Sequence, residues 1–489
     1  MPVTTADTLL RNGLIFDGSG EAPFSGDIAI SQGRIAAVGD LGDMTAAHVI
    51  DVRGKAVAPG FIDVHSHDDY ACIHGPDMTN KISQGVTTVV AGNCGLSIAP
   101  LRFAGEPEEP FNLLGDAKAF VYDSFAAYTA AIDDACPAVN VAALIGHTTL
   151  RRICMSDLSR AASPDELARM VAILEDGLRA GATGLSSGVY YKPAYAADLN
   201  ELTTLARAVS RHGGVYATHI RSEYDGIVEA LHEAFATTRP EQTPLILSHH
   251  KCAGVHNWGR SIETLAVIDE ASTQQPVAMD CYPYTAGSSV LNPDLCDGEI
   301  EVLISSSEAC PEYAGRMLAD IAAEWGIDQR AASLRLLPGF ACYFQIHEDD
   351  MRRIMSHPLC MIGSDGLPNS RNPHPRLWGT FPRVLGRYAR DLSLFSLSAA
   401  IFKMTSLPAE RFGFHDRGRL VEGMAADITV FDPDTILDTA TFEAPVQISR
   451  GVEEVLVNGV HAWSQGKGLA RRGGRFLRRT GRFACQPVA

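Results

Sequence analysis

The 489-residue sequence has no apolar run near the roughly 20 residues that a membrane-spanning helix needs. It has no CxxC pair, and its 11 cysteines are scattered and odd in number. That excludes a disulfide framework and points to a reducing compartment. An excess of positive charge is also missing. Against 58 Asp and Glu there are 41 Lys and Arg, a formal net charge of −17, which argues against nucleic acid or an anionic membrane as partner. The one basic cluster, "ARRGGRFLRR" from Ala470 to Arg479, reads as a solvated tail. The first twenty residues, "MPVTTADTLLRNGLIFDGSG", lack the basic stretch and apolar core of a leader. The expectation is a cytoplasmic protein with no membrane and no nucleic-acid partner.

What is present is ordinary globular composition, 46% hydrophobic and 20% charged, in a chain long enough for one large α/β barrel and a smaller unit. Residues 1–59 carry short strand-like runs broken by Asn-Gly and Asp-Gly turns. The same texture returns in "ADITVFDPD" and "VEEVLVNGVHAW". A β-sandwich built from both ends is therefore expected, with 1–59 as its first part and 415–489 as its second part and tail.

The middle, 60–414, alternates strands and helices. Eight strand-like runs end in polar or reactive residues: "FIDVHSH", "TTVVAGNC", "VAALIGHT", "GLSSGVYY", "GVYATHI", "PLILSHH", "VAMDCYPY" and "CMIGSDG". Helical text lies between several of them. In "SPDELARMVAILEDGLRAG", Ser163 is an N-cap, Pro164 takes the first helical position and Glu166 completes a capping box. Eight such units read as a (β/α)8 TIM barrel, which places its chemistry at the C-terminal ends of the strands. Here those ends carry His65, His67, Cys94, His219, His249 and Asp365. His65 and His67 are two apart, so on a strand they share a face, and two converging imidazoles suit a divalent metal such as zinc. An isolated His-x-His also fits two surface histidines. Six such groups on five strand ends do not share that explanation. His147, at the third strand end, is a possible substrate contact. About 75 residues separate Tyr284 from Cys360, where a βα unit takes about 30. The stretch 285–359 is read as a lid insertion between strands 7 and 8.

The segments "PGFIDVHSHDD", "KISQGVTTVVAGNCG", "GVYATHIR", "ILSHHK", "YPYTAGS", "IGSDGLP" and "HPRLWGTFPRVLG" resemble the N-acyl-D-amino-acid deacylases, or D-aminoacylases, of the amidohydrolase superfamily. The order "GNCG", "SHHK", "GSDG" is the specific part. The resemblance implies a tight zinc site at Cys94, His219 and His249, and a second, weaker one at His65 and His67. It implies Asp365 as general acid/base, and an anionic N-acyl amino acid as substrate. It places Lys251, Tyr190, Tyr282, Ser288 and Arg376 where the family holds that substrate. The phenol of Tyr190 is also expected as a second donor to the oxyanion, beside the metal.

Two other readings stand beside it. Lys192, after the fourth strand, would serve as a carboxylated bridge in a hydantoinase or dihydroorotase type of enzyme. A barrel without chemistry, kept as a scaffold, should have lost ligands, and none is missing. Between Tyr282 and Val302 there is no Lys or Arg, but there are Val290, Leu291 and Leu295. A relative that takes acidic side chains would be expected to carry a cation near Leu295. The side-chain pocket is therefore expected to be neutral and mainly apolar.

Overall fold

Alternation along the buried runs builds the barrel. Ile62, Val90, Ala142, Leu144, Val215, Ala217, Ile246, Ala278 and Met361 share one buried cluster. Their chain neighbours Phe61, Val89, Val141, Ala143, Tyr216, Leu245, Met279 and Ile362 belong to another, with the helical residues Leu174, Leu205, Leu231, Ile268 and Ile354. One set fills the barrel and the other carries the helices. Both faces are covered, so the strands read as continuous apolar runs.

The structure is a computed structural model and describes residues 5–370 and 372–479. The barrel strands are β1 (Phe61–Asp63), β2 (Val86–Ala91), β3 (Asn140–Gly146), β4 (Gly184–Gly188), β5 (Val215–His219), β6 (Leu245–Leu247), β7 (Val277–Cys281) and β8 (Cys360–Ile362). They pair in sequence order, all parallel. The seam between β8 and β1 is closed just past their ends. Ser66 bridges Gly366 in parallel, and the Asp365 amide donates to the His65 carbonyl at 2.7 Å. Below it the buried Asp63 carboxylate accepts from the Ser364 amide at 2.8 Å and from Lys81 Nζ at 2.7 Å. The capping box at Ser163 forms as expected and starts the helix Pro164–Arg179, while Asp198 caps Leu199–Arg211.

Both chain ends meet in a nine-stranded sheet. Thr5–Ile15 pairs with Phe24–Ser31, Thr45–Asp51 and Ala56–Pro59. Ile428–Phe431 lies antiparallel between Ala56–Pro59 and Val452–Val457. The stretch after β7 forms a three-stranded sheet, Gly287–Val290, Val302–Ser307 and Gly339–Tyr343, with the helices Leu318–Trp325 and Gln329–Leu336. It has its own core around Ile304, Leu318, Ile321 and Leu336. The next helix, Glu348–Ser356, packs on β7 and β8 and belongs to the barrel layer.

One expectation is corrected here. The basic cluster at 470–479 is not a solvated tail. The Leu477 amide donates to the Val141 carbonyl at 2.7 Å, Phe476 is buried against Phe125, and Arg478 meets Asp133 at 2.7 Å. Residues 480–489, with Cys485, lie outside the described residues. Among the described residues no helix is long and apolar enough to cross a membrane.

Candidate metal centre and cavity

Each candidate ligand sits just past the C-terminal end of its strand, or on its last residue. β1 ends at Asp63, so His65 and His67 follow the strand rather than lie within it. Cys94 follows β2 in the turn Gly92-Asn93-Cys94-Gly95. A Cβ on Gly92 would meet the Leu144 carbonyl oxygen at 2.1 Å, and one on Gly95 the Gly188 amide at 2.5 Å. The two glycines let this turn press against β3 and β4 and push the cysteine towards the axis. Cys94, His249 and Asp365 all hold positive φ, at 55°, 36° and 48°. Non-glycine residues in that region are uncommon and cluster at functional sites.

The side chains converge. Cys94 Sγ lies 3.2 Å from His65 Nε2 and 3.3 Å from His249 Nε2. The His219 ring stands edge-on to His249, with centroids 4.4 Å apart. Asp365 Oδ1 is 3.2 Å from His67 Nε2 and 3.5 Å from His65 Nε2. Two groups result, Cys94–His219–His249 and His65–His67–Cys94–Asp365, each with its ligand atoms within 4.8 Å of one another. Cys94 belongs to both.

These residues fit a zinc-type ion. Bonds of about 2.0–2.3 Å in a tetrahedron give ligand–ligand edges of about 3.5 Å, close to the spacings here. Among the described residues, both ring nitrogens of His219, and Nδ1 of His67, are buried without a hydrogen-bond partner. Burial alone would raise the Cys94 thiol, but His65 and His249 outweigh it and hold it well below the usual range, which favours the thiolate form that binds a cation. Burial also works against the Asp365 carboxylate. Arg376 Nη1, 2.8 Å away, and His67 overcome it and keep Asp365 well below its ordinary value.

A second ring of groups orients the first. Asp280 stands 3.3 Å from His65 Nδ1 and accepts from the His249 amide at 3.0 Å. Glu223 meets His249 Nδ1 at 2.9 Å and Lys251 Nζ at 2.5 Å. Neither acid was singled out from the sequence. Asp280 had a signal, as a lone carboxylate in the apolar run "VAMDC". Glu223 had only its place four residues after His219.

Above the centre opens a cavity of about 840 Å³. Tyr190, Lys251, Tyr282, Ser288 and Leu295 all line it. The Tyr282 hydroxyl is buried with no hydrogen-bond partner among the described residues. Arg376 is not part of the wall. It is 1% exposed and its guanidinium lies 4.4 Å over the Tyr282 ring. Tyr190 stacks on His219 with centroids 5.0 Å apart and stands beside Tyr224 and Asn292. Tyr191, which the sequence did not single out, stands edge-on to His219 with centroids 5.2 Å apart; burial and the negative charges of Cys94 and Asp365 raise its phenol well above the usual value. Lys192 is exposed at the rim, while Cys94 holds the central position the carboxylated-lysine reading needed. His147 is not a cavity residue. It pairs with Glu201, on the helix Leu199–Arg211, at 2.7 Å.

The sequence matches the amidohydrolase family over residues 48–278 and 328–462. It is 47% identical to a D-aminoacylase of Alcaligenes xylosoxydans xylosoxydans over 474 residues, covering 97% of this chain and 98% of the relative. Among solved structures it resembles one of D-aminoacylase, described for its binuclear metal centre, with a TM-score of 0.94 and 47% identity over 97% of this chain and 100% of that one. It also resembles the N-acyl-D-glutamate deacylase of Bordetella bronchiseptica complexed with zinc and a phosphonate mimic of the tetrahedral intermediate, with a TM-score of 0.93 and 45% identity over 97% and 100%.

Proposed function

Since the chain belongs to the amidohydrolase family, we propose that it is a metal-dependent hydrolase of N-acyl-D-amino acids, releasing a free D-amino acid and a carboxylate. The observation that carries this reading is Cys94, held between His65 and His249 and common to both ligand groups. It supports a thiolate-centred site over one bridged by carboxylated lysine. Zinc is the ion proposed, at Cys94, His219 and His249, with His65 and His67 beside a second and weaker position.

When bound, such an ion supplies an activated water and polarises the amide carbonyl. The chain's own residues do the rest. Asp365, kept ionised by Arg376, takes the water's proton on one carboxylate oxygen and hands it to the leaving nitrogen. Arg376 acts through Asp365, since it stands behind the wall. Lys251 and the free Tyr282 hydroxyl, with Ser288 beside them, receive the substrate α-carboxylate. Of the two tyrosines, Tyr190 is turned towards Tyr224 and Asn292. Tyr191 faces the reacting centre and is the better placed donor to the developing oxyanion.

The side-chain arm runs beneath the insertion, along Val290, Leu291, Leu295 and Tyr343. No Lys or Arg from Tyr282 to Val302 reaches it, because the sequence has none there. Neutral, mainly apolar side chains are proposed, such as those of D-Leu, D-Val, D-Phe, D-Trp and D-Met. The test is a panel of N-acetyl amino acids as separate enantiomers, with hydantoins alongside and metal analysis on the same sample. D-specific release from neutral members is expected. Turnover of cyclic amides alone would overturn the activity, and N-acetyl-D-Glu as best substrate would overturn the side-chain assignment.

A further inference from the structure

The cavity is larger than the substrate so far described. At about 30 Å³ per water-sized group its 840 Å³ hold about 28 such groups, against about 12 non-hydrogen atoms in N-acetylleucine. Lys251, Tyr282 and the insertion occupy the β6–β7 half of the mouth. A trans amide places its acyl chain and the amino acid's α-carbon on opposite sides of the reacting C–N bond. With the α-carboxylate against Lys251 and Tyr282, the acyl group is directed to the other half.

There the wall is largely apolar, with the exposed side chains Glu109 and Lys192 beside it. Pro110 and Leu113 come from the connection after β2, Pro193 and Tyr195 from the one after β4, and Leu367 from the one after β8. Leu113 is 5% exposed, and Asn369 Nδ2 donates to the Leu114 carbonyl at 2.6 Å, which ties the first of these connections to the last. The Tyr195 ring is 58% exposed at the outer edge. We infer that the arm is an acyl subsite for unbranched acyl chains longer than acetyl, of about six carbons, formed by Pro110, Leu113, Pro193, Tyr195 and Leu367.

The inference rests on the deacylase reading, and its test separates the two. The metal-loaded protein is assayed on D-leucine carrying acetyl, butanoyl, hexanoyl and octanoyl groups. A fully buried methylene is worth about fourfold in kcat/KM. In this partly open arm the hexanoyl substrate should exceed the acetyl one by about tenfold or more. Leu113→Gln and Leu367→Gln should each lower the hexanoyl-to-acetyl ratio several-fold; Leu367 is only half-buried, so its variant serves if Leu113→Gln fails to fold. Hydrolysis of the acetyl substrate with rates falling along the series overturns the acyl subsite alone. An unchanged ratio in both variants also overturns it. No hydrolysis of any member, acetyl included, overturns the deacylase reading and this inference with it.

Discussion

Glu223 Oε1 stands 2.9 Å from Nδ1 of His249, on the far side of the ring from Cys94. The same carboxylate holds Lys251 at 2.5 Å. One buried acid therefore orients a candidate metal ligand and a candidate carboxylate anchor together. Glu223→Gln should weaken metal binding by about 10–100-fold, as loss of such partners does elsewhere. It should also raise KM, because Lys251 loses its support. Chelator competition gives the first quantity and steady-state kinetics the second. Unchanged affinity with unchanged KM would mean that Glu223 only fills space.

Cys94 and Asp365 should part company when each is replaced. Cys94→Ala removes the thiolate common to both groups, so tightly bound zinc and nearly all activity should go together. Asp365→Asn keeps shape and should leave the tight site occupied, while kcat falls by about 10² or more. Metal content and rate on the same samples check both. Full metal and rate in the Cys94 variant would sink the ligand assignment.

Tyr191 and Tyr190 are adjacent, and both meet His219, one edge-on and the other stacked. Tyr191→Phe should lower kcat by about 10² with little change in KM, as loss of one oxyanion donor does. Tyr190→Phe should act mainly on KM and side-chain preference. The opposite pattern would return the oxyanion role to Tyr190.

Leu295 lines the arm that lacks a cation. Leu295→Arg should lower kcat/KM for N-acetyl-D-Leu by about tenfold or more and raise it for N-acetyl-D-Glu, since a guanidinium offsets the cost of desolvating a carboxylate. A paired assay of the two substrates decides it. Unaltered preference would show that this side chain does not meet the substrate.

Glu201 binds Arg151 Nη1 at 2.6 Å and His147 Nε2 at 2.7 Å, all three buried. Burial opposes its ionisation, but His147 and Arg151 prevail and hold its carboxyl down to about 2. A carboxyl depressed from about 4.3 stabilises the fold above that pH and loses its contribution as pH falls towards 2. Glu201→Gln leaves Arg151 buried without a counter-charge, though still bonded to the Pro193, Leu158 and Arg160 carbonyls, at a cost of about 3 kcal/mol at neutral pH. The melting temperature should drop at pH 7, with a flatter decline between pH 5 and 2 than the parent shows (about 4.3 to 2 being the titrating window). Equal melting temperatures at pH 7 would refute the role.

Groups at strand ends were legible because the barrel repeats them: His65, His67, Cys94, His219, His249 and Asp365 could be read from where each apolar run stops. The capping box at Ser163 was legible for a similar reason, since its partners are three residues apart. Lys81 was not. It lies in a short helix and is 0% exposed, but its partners Asp63 and Ser364 lie 18 and 283 positions away. The basic cluster at the end misled because composition reports charge, whereas docking there comes from Phe476 and from backbone pairing with β3, which composition does not record. Tyr190 and Tyr191 differ by one position, and only the backbone path after β4 decides that one stacks on His219 and the other meets it edge-on. Arg376 had the right chemistry for a carboxylate; its place behind Tyr282 was set by the helix Arg376–Arg383.

The seam between β8 and β1 sets a schedule for the newly made chain. Asp63 and Ser364, which bond across it, are 301 positions apart. At about 5–20 residues per second a ribosome needs about 15–60 s to travel that distance. During that interval His65 and His67 have been made but have no Asp365 to meet, and Ser66 has no strand to join. The last ligands come into register only when the barrel shuts, so a nascent chain cannot display a finished centre on an unfinished fold. Capture of metal at the complete site thus reports that synthesis has passed β8 and that the first and last strands have found each other.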